Sequence, residues 1–138
     1  MKNIYLAILG ILVLATANTA SAADLSVMHY LTCQEADAPM FDAVVINIDR
    51  VFDAASEPNG YLVASVYHRV EQDSILVTRV NVNERQARRP GAPKEFVGEG
   101  LMLQVKTTVT PSRKGFPGQL VLTDKLQTEI AVNCQFTR

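Results

Sequence analysis

The chain has 138 residues, of which 13 are basic and 14 acidic, so its formal net charge at pH 7 is −1. General nucleic-acid binding needs a basic surface excess to neutralise phosphates, and this charge balance argues against a nucleic-acid partner. After the first residues, no stretch is long and apolar enough to cross a membrane as a helix.

The N-terminal segment has the three-part organisation of a secretory signal peptide. Lys2 forms a short positive region, residues 4–15 are almost all apolar, and the Ala-Ser-Ala of residues 20–22 suits signal peptidase. A membrane anchor is the alternative, but a bilayer span needs roughly 20 apolar residues and this run is shorter. We expect residues 1–22 to be cleaved and residues 23–138 to form one domain, periplasmic or secreted, with no further transmembrane segment.

The chain has two cysteines, Cys33 and Cys134, which lie near the two ends of the expected domain. In an oxidising compartment an even number of cysteines implies bridging, and two allow a single intramolecular connectivity. Neither a CxxC motif nor a metal-ligand spacing is present. We predict a structural disulfide between them, the alternatives being an intermolecular bridge or two inert buried thiols.

The first half of the expected domain consists of short runs in which apolar and polar residues alternate, as they do in β-strands. The alternation places His29 on the apolar face of the first run and His68 on that of the third. An EPNG turn at 57–60 separates the second run from the third. The four runs are residues 27–33, 43–52, 61–70 and 74–82.

The second half contains three more such runs, at residues 96–109, 118–123 and 128–136. Gly98 and Gly100 indicate a bulge or bend where the first of them begins. Seven or eight short strands joined by hairpin-length turns are typical of an all-β fold, either an antiparallel sandwich or a small closed barrel. In such a fold the predicted disulfide links the first and last strands.

Few residues suggest catalysis or metal binding. Two imidazoles are too few for a closed zinc site, and no nearby Cys, Asp or Glu completes a ligand set on the predicted face of His29 or His68. No serine lies in a GxSxG or SxxK motif, and no carboxylate pair is placed across a cleft. We therefore expect no catalytic residue, no metal site and no cofactor.

The segment 83–95 is charged and rich in Pro and Gly, and we predict that it is a long exposed loop. The planar guanidinium of arginine suits carboxylates, phosphates and sulfated or lipid head groups, and loops on a β scaffold often carry binding residues. A solvated hairpin tip is the alternative. A second, smaller basic turn contains Arg113 and Lys114, and the sequence does not show whether the two turns share an end of the domain. The candidate partner-binding residues are Arg85, Arg88, Arg89 and Lys94.

These features favour an exported, non-enzymatic β-domain that binds an envelope protein or an anionic surface, partly through the 83–95 segment. The first alternative is a carrier for a small apolar ligand, held in the cavity of a closed barrel. A hydrolytic enzyme is the least favoured class, because the sequence supplies no catalytic motif.

Overall fold

The computed structural model describes residues 25–53, 58–86, 88–123 and 128–138. The predicted signal peptide, residues 1–22, lies outside the described residues. No helix in the described part of the chain is long and apolar enough to span a membrane. Eight strands follow one another: β1 (Ser26–Glu35), β2 (Asp42–Phe52), β3 (Tyr61–Val70), β4 (Asp73–Gln86), β5 (Lys94–Gly98), β6 (Leu101–Val105), β7 (Phe116–Leu122) and β8 (Thr128–Phe136).

The eight strands form a closed antiparallel barrel in which each strand pairs with the next and β8 pairs with β1. This confirms the predicted all-β antiparallel fold, and of its two expected forms the barrel is the one adopted. In such a meander the connections alternate between two ends. We call the end with the β2–β3, β4–β5 and β6–β7 connections, the start of β1 and the end of β8 the terminal end.

The interior of the barrel is filled by apolar side chains, because every second residue of each strand points inward. Burial of these side chains is the main stabilising contribution to the fold. Seven of the largest that are fully buried are Phe96, Leu31, Ile46, Ile48, Leu101, Leu103 and Leu120.

Cys33 of β1 and Cys134 of β8 lie directly opposite each other and form a disulfide. Both are fully buried in the barrel core, so the predicted bridge between the first and last strands is confirmed. The two cysteines are 101 residues apart in the chain. For a loop of that length the chain-entropy model gives about 4–5 kcal/mol of stabilisation, an upper figure.

Four aromatic rings close the interior near the terminal end. Tyr30 makes edge-to-face contacts with Phe96 and Phe136, with ring centroids 6.0 and 5.9 Å apart, and Phe116 contacts Phe136 at 5.9 Å. This is the offset geometry that aromatic pairs prefer. The interior is therefore capped at this end by packed rings.

Two predicted elements differ from the observed ones. The run 96–109 is two strands, β5 and β6, because Gly98 pairs with Leu101 across a two-residue hairpin turn in which Gly100 has φ 69°. The glycine pair thus marks a hairpin and not a bend within one strand. The predicted 83–95 loop is also shorter than expected, since β4 continues to Gln86 and β5 begins at Lys94, leaving residues 87–93 as the connection.

Candidate functional site

Three of the four predicted partner-binding residues lie together at the terminal end. Arg88 and Arg89 are exposed in the β4–β5 connection. Arg85 is exposed near the end of strand β4, opposite Glu95 of β5. Among the described residues, none makes a side-chain hydrogen bond or ion pair with these three arginines. Their guanidinium groups are therefore available to a partner.

Lys94 differs from the three arginines, because it lies over the aromatic rings that close the terminal end of the barrel, which we call the barrel mouth. Its Nζ lies 2.9 Å from Glu84 Oε1 and donates to Tyr30 Oη at 3.4 Å. It also lies 5.3 Å from the centroid of the Phe136 ring. Only 20% of the Lys94 side chain is exposed. This lysine closes the mouth over the aromatic rings, and most of its charge is already compensated.

Two opposing effects act on the pKa of Lys94. Partial burial acts to lower it, but hydrogen bonds from Lys94 to Glu84 and Tyr30, together with charge attraction, outweigh the burial and raise the pKa above its ordinary value of 10.5. Lys94 is therefore a charged, structural cation at neutral pH.

The two basic turns share the terminal end, which the sequence alone did not show. Connections of an antiparallel meander alternate between ends, so the β4–β5 and β6–β7 connections fall together. Among the described residues, six exposed acidic residues lie at the opposite end: Asp37, Asp42, Glu71, Asp73, Glu99 and Glu129. The exposed basic residues of the terminal end, which we call the cationic surface, are Arg85, Arg88, Arg89, Lys106, Arg113, Lys114 and Arg138.

Large exposed apolar side chains lie at both ends of the barrel. Those at the end opposite the cationic surface are Met40, Phe41, Val70, Ile75, Leu76 and Val77, and the others lie at the terminal end. Leu25, Val27 and Met28, at the start of β1, are 63%, 59% and 58% exposed. Tyr61, at the start of β3, and Val109, in the β6–β7 connection, are 37% and 42% exposed. The terminal end thus combines exposed apolar side chains with cations that have no ion-pair partner among the described residues.

His29 lies on the outer surface of the barrel, contrary to the face that alternation predicts. The β1–β2 register shifts between His29 and Leu31, so that Tyr30 is an extra residue in β1. Such a β-bulge reverses the alternation on one side of it. His29 therefore points outward beside Asp49, while Leu31 and Cys33 point inward.

The bulge also brings His29 and Thr32 onto one face, although residues three apart in a regular strand point to opposite faces. His29 Nδ1 lies 2.7 Å from Asp49 Oδ1, and its Nε2 contacts Thr32 Oγ1. Thr32 Oγ1 in turn donates to Asn47 Oδ1 at 3.1 Å. The four side chains form a continuous hydrogen-bonded relay along the outer wall of β1 and β2.

His68 forms a separate pair at the other end of the barrel. Its Nε2 lies 2.8 Å from Asp42 Oδ1, and both side chains are substantially exposed, at 44% and 62%. Each histidine thus has a carboxylate partner, which the predicted faces did not reveal. In the described ranges, no group of three or more His, Cys, Asp or Glu side chains could hold a metal ion.

A groove of about 380 Å³ lies on the outer wall along the β1–β8 seam. The β1–β2 connection forms one side of it and the β6–β7 connection the other. We call it the seam groove. Its lining residues are Thr32, Gln34, Glu35, Ala36, Ala38, Met40, Arg113, Lys114, Asn133 and Gln135.

Two further cavities also lie on the outer wall. One, of about 410 Å³, lies beside Pro93, Lys106 and Gln119, and the other, of about 160 Å³, lies beside Asn47 and Tyr67. None of these three cavities is inside the barrel, where apolar side chains fill the space. The carrier for a small apolar ligand stays a prediction, and these cavities give it no support.

The fold and these surfaces define a disulfide-linked, eight-stranded antiparallel barrel with one cationic end and a polar groove on its seam. Comparisons with protein-family models, curated proteins and solved structures found no significant match to this chain.

Proposed function

We propose that the protein is an exported, non-enzymatic β-barrel that binds an anionic lipid surface through its terminal end. The observation that carries this proposal is the meeting of the two basic turns at one end of the barrel. Together with Arg85 and Arg138 they present the seven basic side chains of the cationic surface, while exposed acidic residues gather at the other end. A molecule with this polarity is oriented by a negative surface before it makes contact.

The exposed apolar residues favour a lipid surface over a soluble anion. Val27, Met28 and Val109 lie among the cations of the terminal end and are more than two-fifths exposed. Peripheral membrane proteins combine basic residues, which attract anionic head groups, with apolar side chains, which enter the interface. The exposed cations are also spread over two connections, the end of β4 and the residues after β8, which suits an extended partner better than a small ligand.

Export is supported by two observations. The signal-like N-terminal segment predicts secretion, and the disulfide is consistent with an oxidising, periplasmic or extracellular location.

Vesicle flotation tests the proposal. We expect the protein to float with vesicles of mixed phosphatidylcholine and phosphatidylglycerol, and not with phosphatidylcholine alone. Binding should weaken as salt is added, because exposed charges are screened over about 10 Å at 0.1 M ionic strength. The double variant Arg88→Glu/Arg89→Glu should bind at least about tenfold more weakly, since each basic residue near such a surface contributes about 1 kcal/mol.

The matched control is Arg69→Glu/Arg79→Glu, which makes the same change in net charge away from the terminal end. It should lose much less affinity than the terminal-end variant. Equal losses in the two variants would show that net charge alone matters and would contradict the proposal. Failure to float with any vesicle would exclude the lipid surface and leave an envelope protein as the candidate partner of this end.

A further inference from the structure

We infer that the seam groove is a second binding site, specific for a small hydroxylated carboxylate of the sugar-acid class. This inference does not depend on membrane binding, because most of the groove lies on the wall of the barrel. It is carried by the side chains that the β1–β8 register places together and by the two cations beside them.

The floor of the groove is a square of four polar side chains. Thr32 lies directly opposite Gln135, and Gln34 lies directly opposite Asn133. A carboxamide offers both a donor and an acceptor, as does a hydroxyl group of a sugar. A floor of three carboxamides and a hydroxyl is therefore complementary to a ligand with several neighbouring hydroxyl groups.

This floor is held rigidly. Cys33 and Cys134 are the residues between the two floor pairs, and their disulfide lies on the inner face directly beneath. Thr32 is further fixed by the relay through His29 to Asp49. Side chains on a backbone that is already ordered lose less entropy when a ligand binds, which favours binding.

The charge of the groove selects an anion. Arg113 and Lys114 are exposed at its edge, and no described residue forms an ion pair with either of them. Glu35 is the only acidic residue among the lining side chains, and its Oε2 already accepts a hydrogen bond from the Val44 amide at 3.0 Å. The guanidinium of Arg113 can hold a carboxylate through two parallel hydrogen bonds.

The remaining side of the groove is apolar. Ala36, Ala38 and Met40 line it, and they suit the C–H face of a sugar ring. The volume of about 380 Å³ is within the range of about 300–1,000 Å³ that small-molecule sites occupy. The floor suits the hydroxyl groups of a uronic acid, the cationic edge suits its carboxylate, and the apolar side suits the face of its ring. A neutral sugar or a simple anion would use only some of these contacts.

Nuclear magnetic resonance titration of the full chain with galacturonate, galactose and acetate tests this inference. We expect galacturonate to cause saturable shifts in the side-chain amide signals of Gln34, Asn133 and Gln135. Galactose lacks the carboxylate and acetate lacks the hydroxyl groups, so each should bind at least about tenfold more weakly, a difference of about 1.4 kcal/mol.

Two variants locate the site. Asn133→Asp keeps the shape of the side chain but replaces its N–H donor with a negative charge, which repels the ligand carboxylate. Arg113→Gln removes the guanidinium that would bind this carboxylate. Each variant should weaken galacturonate binding by about tenfold or more. The matched control is Asn81→Asp, which makes the same chemical change on the exposed wall of β4, outside the groove. Its affinity for galacturonate should equal that of the wild type.

Several results would overturn the inference: no shift with galacturonate, equal binding of acetate or galactose, or equal losses in Asn133→Asp and Asn81→Asp. The proposal of membrane binding is tested independently of this one. Arg88→Glu/Arg89→Glu should weaken vesicle binding by about tenfold or more and leave galacturonate binding intact. Asn133→Asp should weaken galacturonate binding by about tenfold or more and leave vesicle binding intact. A variant that retains well-dispersed amide signals is folded, so its loss of binding can be assigned to the groove.

Discussion

Cys33 and Cys134 face each other across the seam where the first and last strands meet, with their sulfur atoms in the core and the seam groove on the other side of the same backbone. One covalent link therefore serves two purposes. It fastens the strand pair that closes the barrel, and it fixes the spacing of the floor residues on either side. The stability of the fold and the shape of the groove are coupled at this pair.

Removing the disulfide should destabilise the barrel by about 2–5 kcal/mol. The free energy of unfolding, obtained from urea titration of the wild type with and without reductant, measures this loss. The variant Cys33→Ala/Cys134→Ala is the control, because reductant should not change its midpoint. Identical midpoints for oxidised and reduced wild type would contradict a structural role for the bridge.

The two histidines should have opposite tautomers when they are neutral. A carboxylate only accepts hydrogen bonds, so the nitrogen that faces it carries the proton. Asp49 faces Nδ1 of His29, whereas Asp42 faces Nε2 of His68. Nitrogen chemical shifts in a single spectrum, recorded at a pH where both rings are neutral, should therefore show Nδ1–H for His29 and Nε2–H for His68.

Substitution of the carboxylates checks this assignment. Asp49→Ala should convert His29 to the Nε2–H tautomer, with Thr32 as its acceptor, and cost about 1 kcal/mol of stability. It should leave His68 unchanged, and Asp42→Ala should leave His29 unchanged. The same tautomer for both rings in the wild type would show that the relay does not form.

Much of the barrel was predictable from the sequence, because period-2 alternation and two inward cysteines are local signals. The face of His29 was not predictable. The extra residue at Tyr30 reverses the alternation before it, and nothing in the residues around it distinguishes a bulged strand from a regular one. The relay and the outer position of His29 depend on that single residue.

The sequence predicted part of the cationic surface but not how its residues come together. The exposure of Arg88 and Arg89 follows from their polar, Pro- and Gly-rich surroundings. Lys94 instead packs at the barrel mouth, because it pairs with Glu84, 10 residues earlier in the chain. Whether two basic turns share an end depends on strand order. Strand order is a property of the whole sheet, and no local pattern encodes it.

The barrel mouth should respond to alkaline pH through Lys94. Its folded pKa is raised above the value of 10.5, so its contribution to stability is fully present below pH 10.5 and is lost as the pH rises through the folded pKa. We expect Lys94→Met to cost about 1 kcal/mol at neutral pH. The difference between the wild type and this variant, measured by urea unfolding, should shrink as the pH rises above 10.5.

The control for this effect is Lys106→Met, which removes an exposed lysine of the same end without an ion pair among the described residues. Its stability should follow that of the wild type at every pH. If the difference between the wild type and Lys94→Met stays constant as the solution becomes alkaline, the charge of Lys94 makes no contribution and only its packing matters.

Gly118 of β7 should be intolerant of even a methyl group. A Cβ atom at this position would lie 2.6 Å from the backbone oxygen of Gln104 and 3.2 Å from Cγ2 of Val132, so the backbone of β6 would have to move and the Val132 side chain would have to shift slightly. We expect Gly118→Ala to destabilise the barrel by about 1–3 kcal/mol, the usual cost of overpacking a core. Hydrogen exchange should also show faster opening of the β6–β7 pair.

The neighbouring exposed residue provides the control, since Gln119→Ala should change stability by no more than about 0.5 kcal/mol. Equal stabilities of the two variants would mean that the strands on either side of β7 can separate at little cost, and that the close approach at Gly118 is not required for closure.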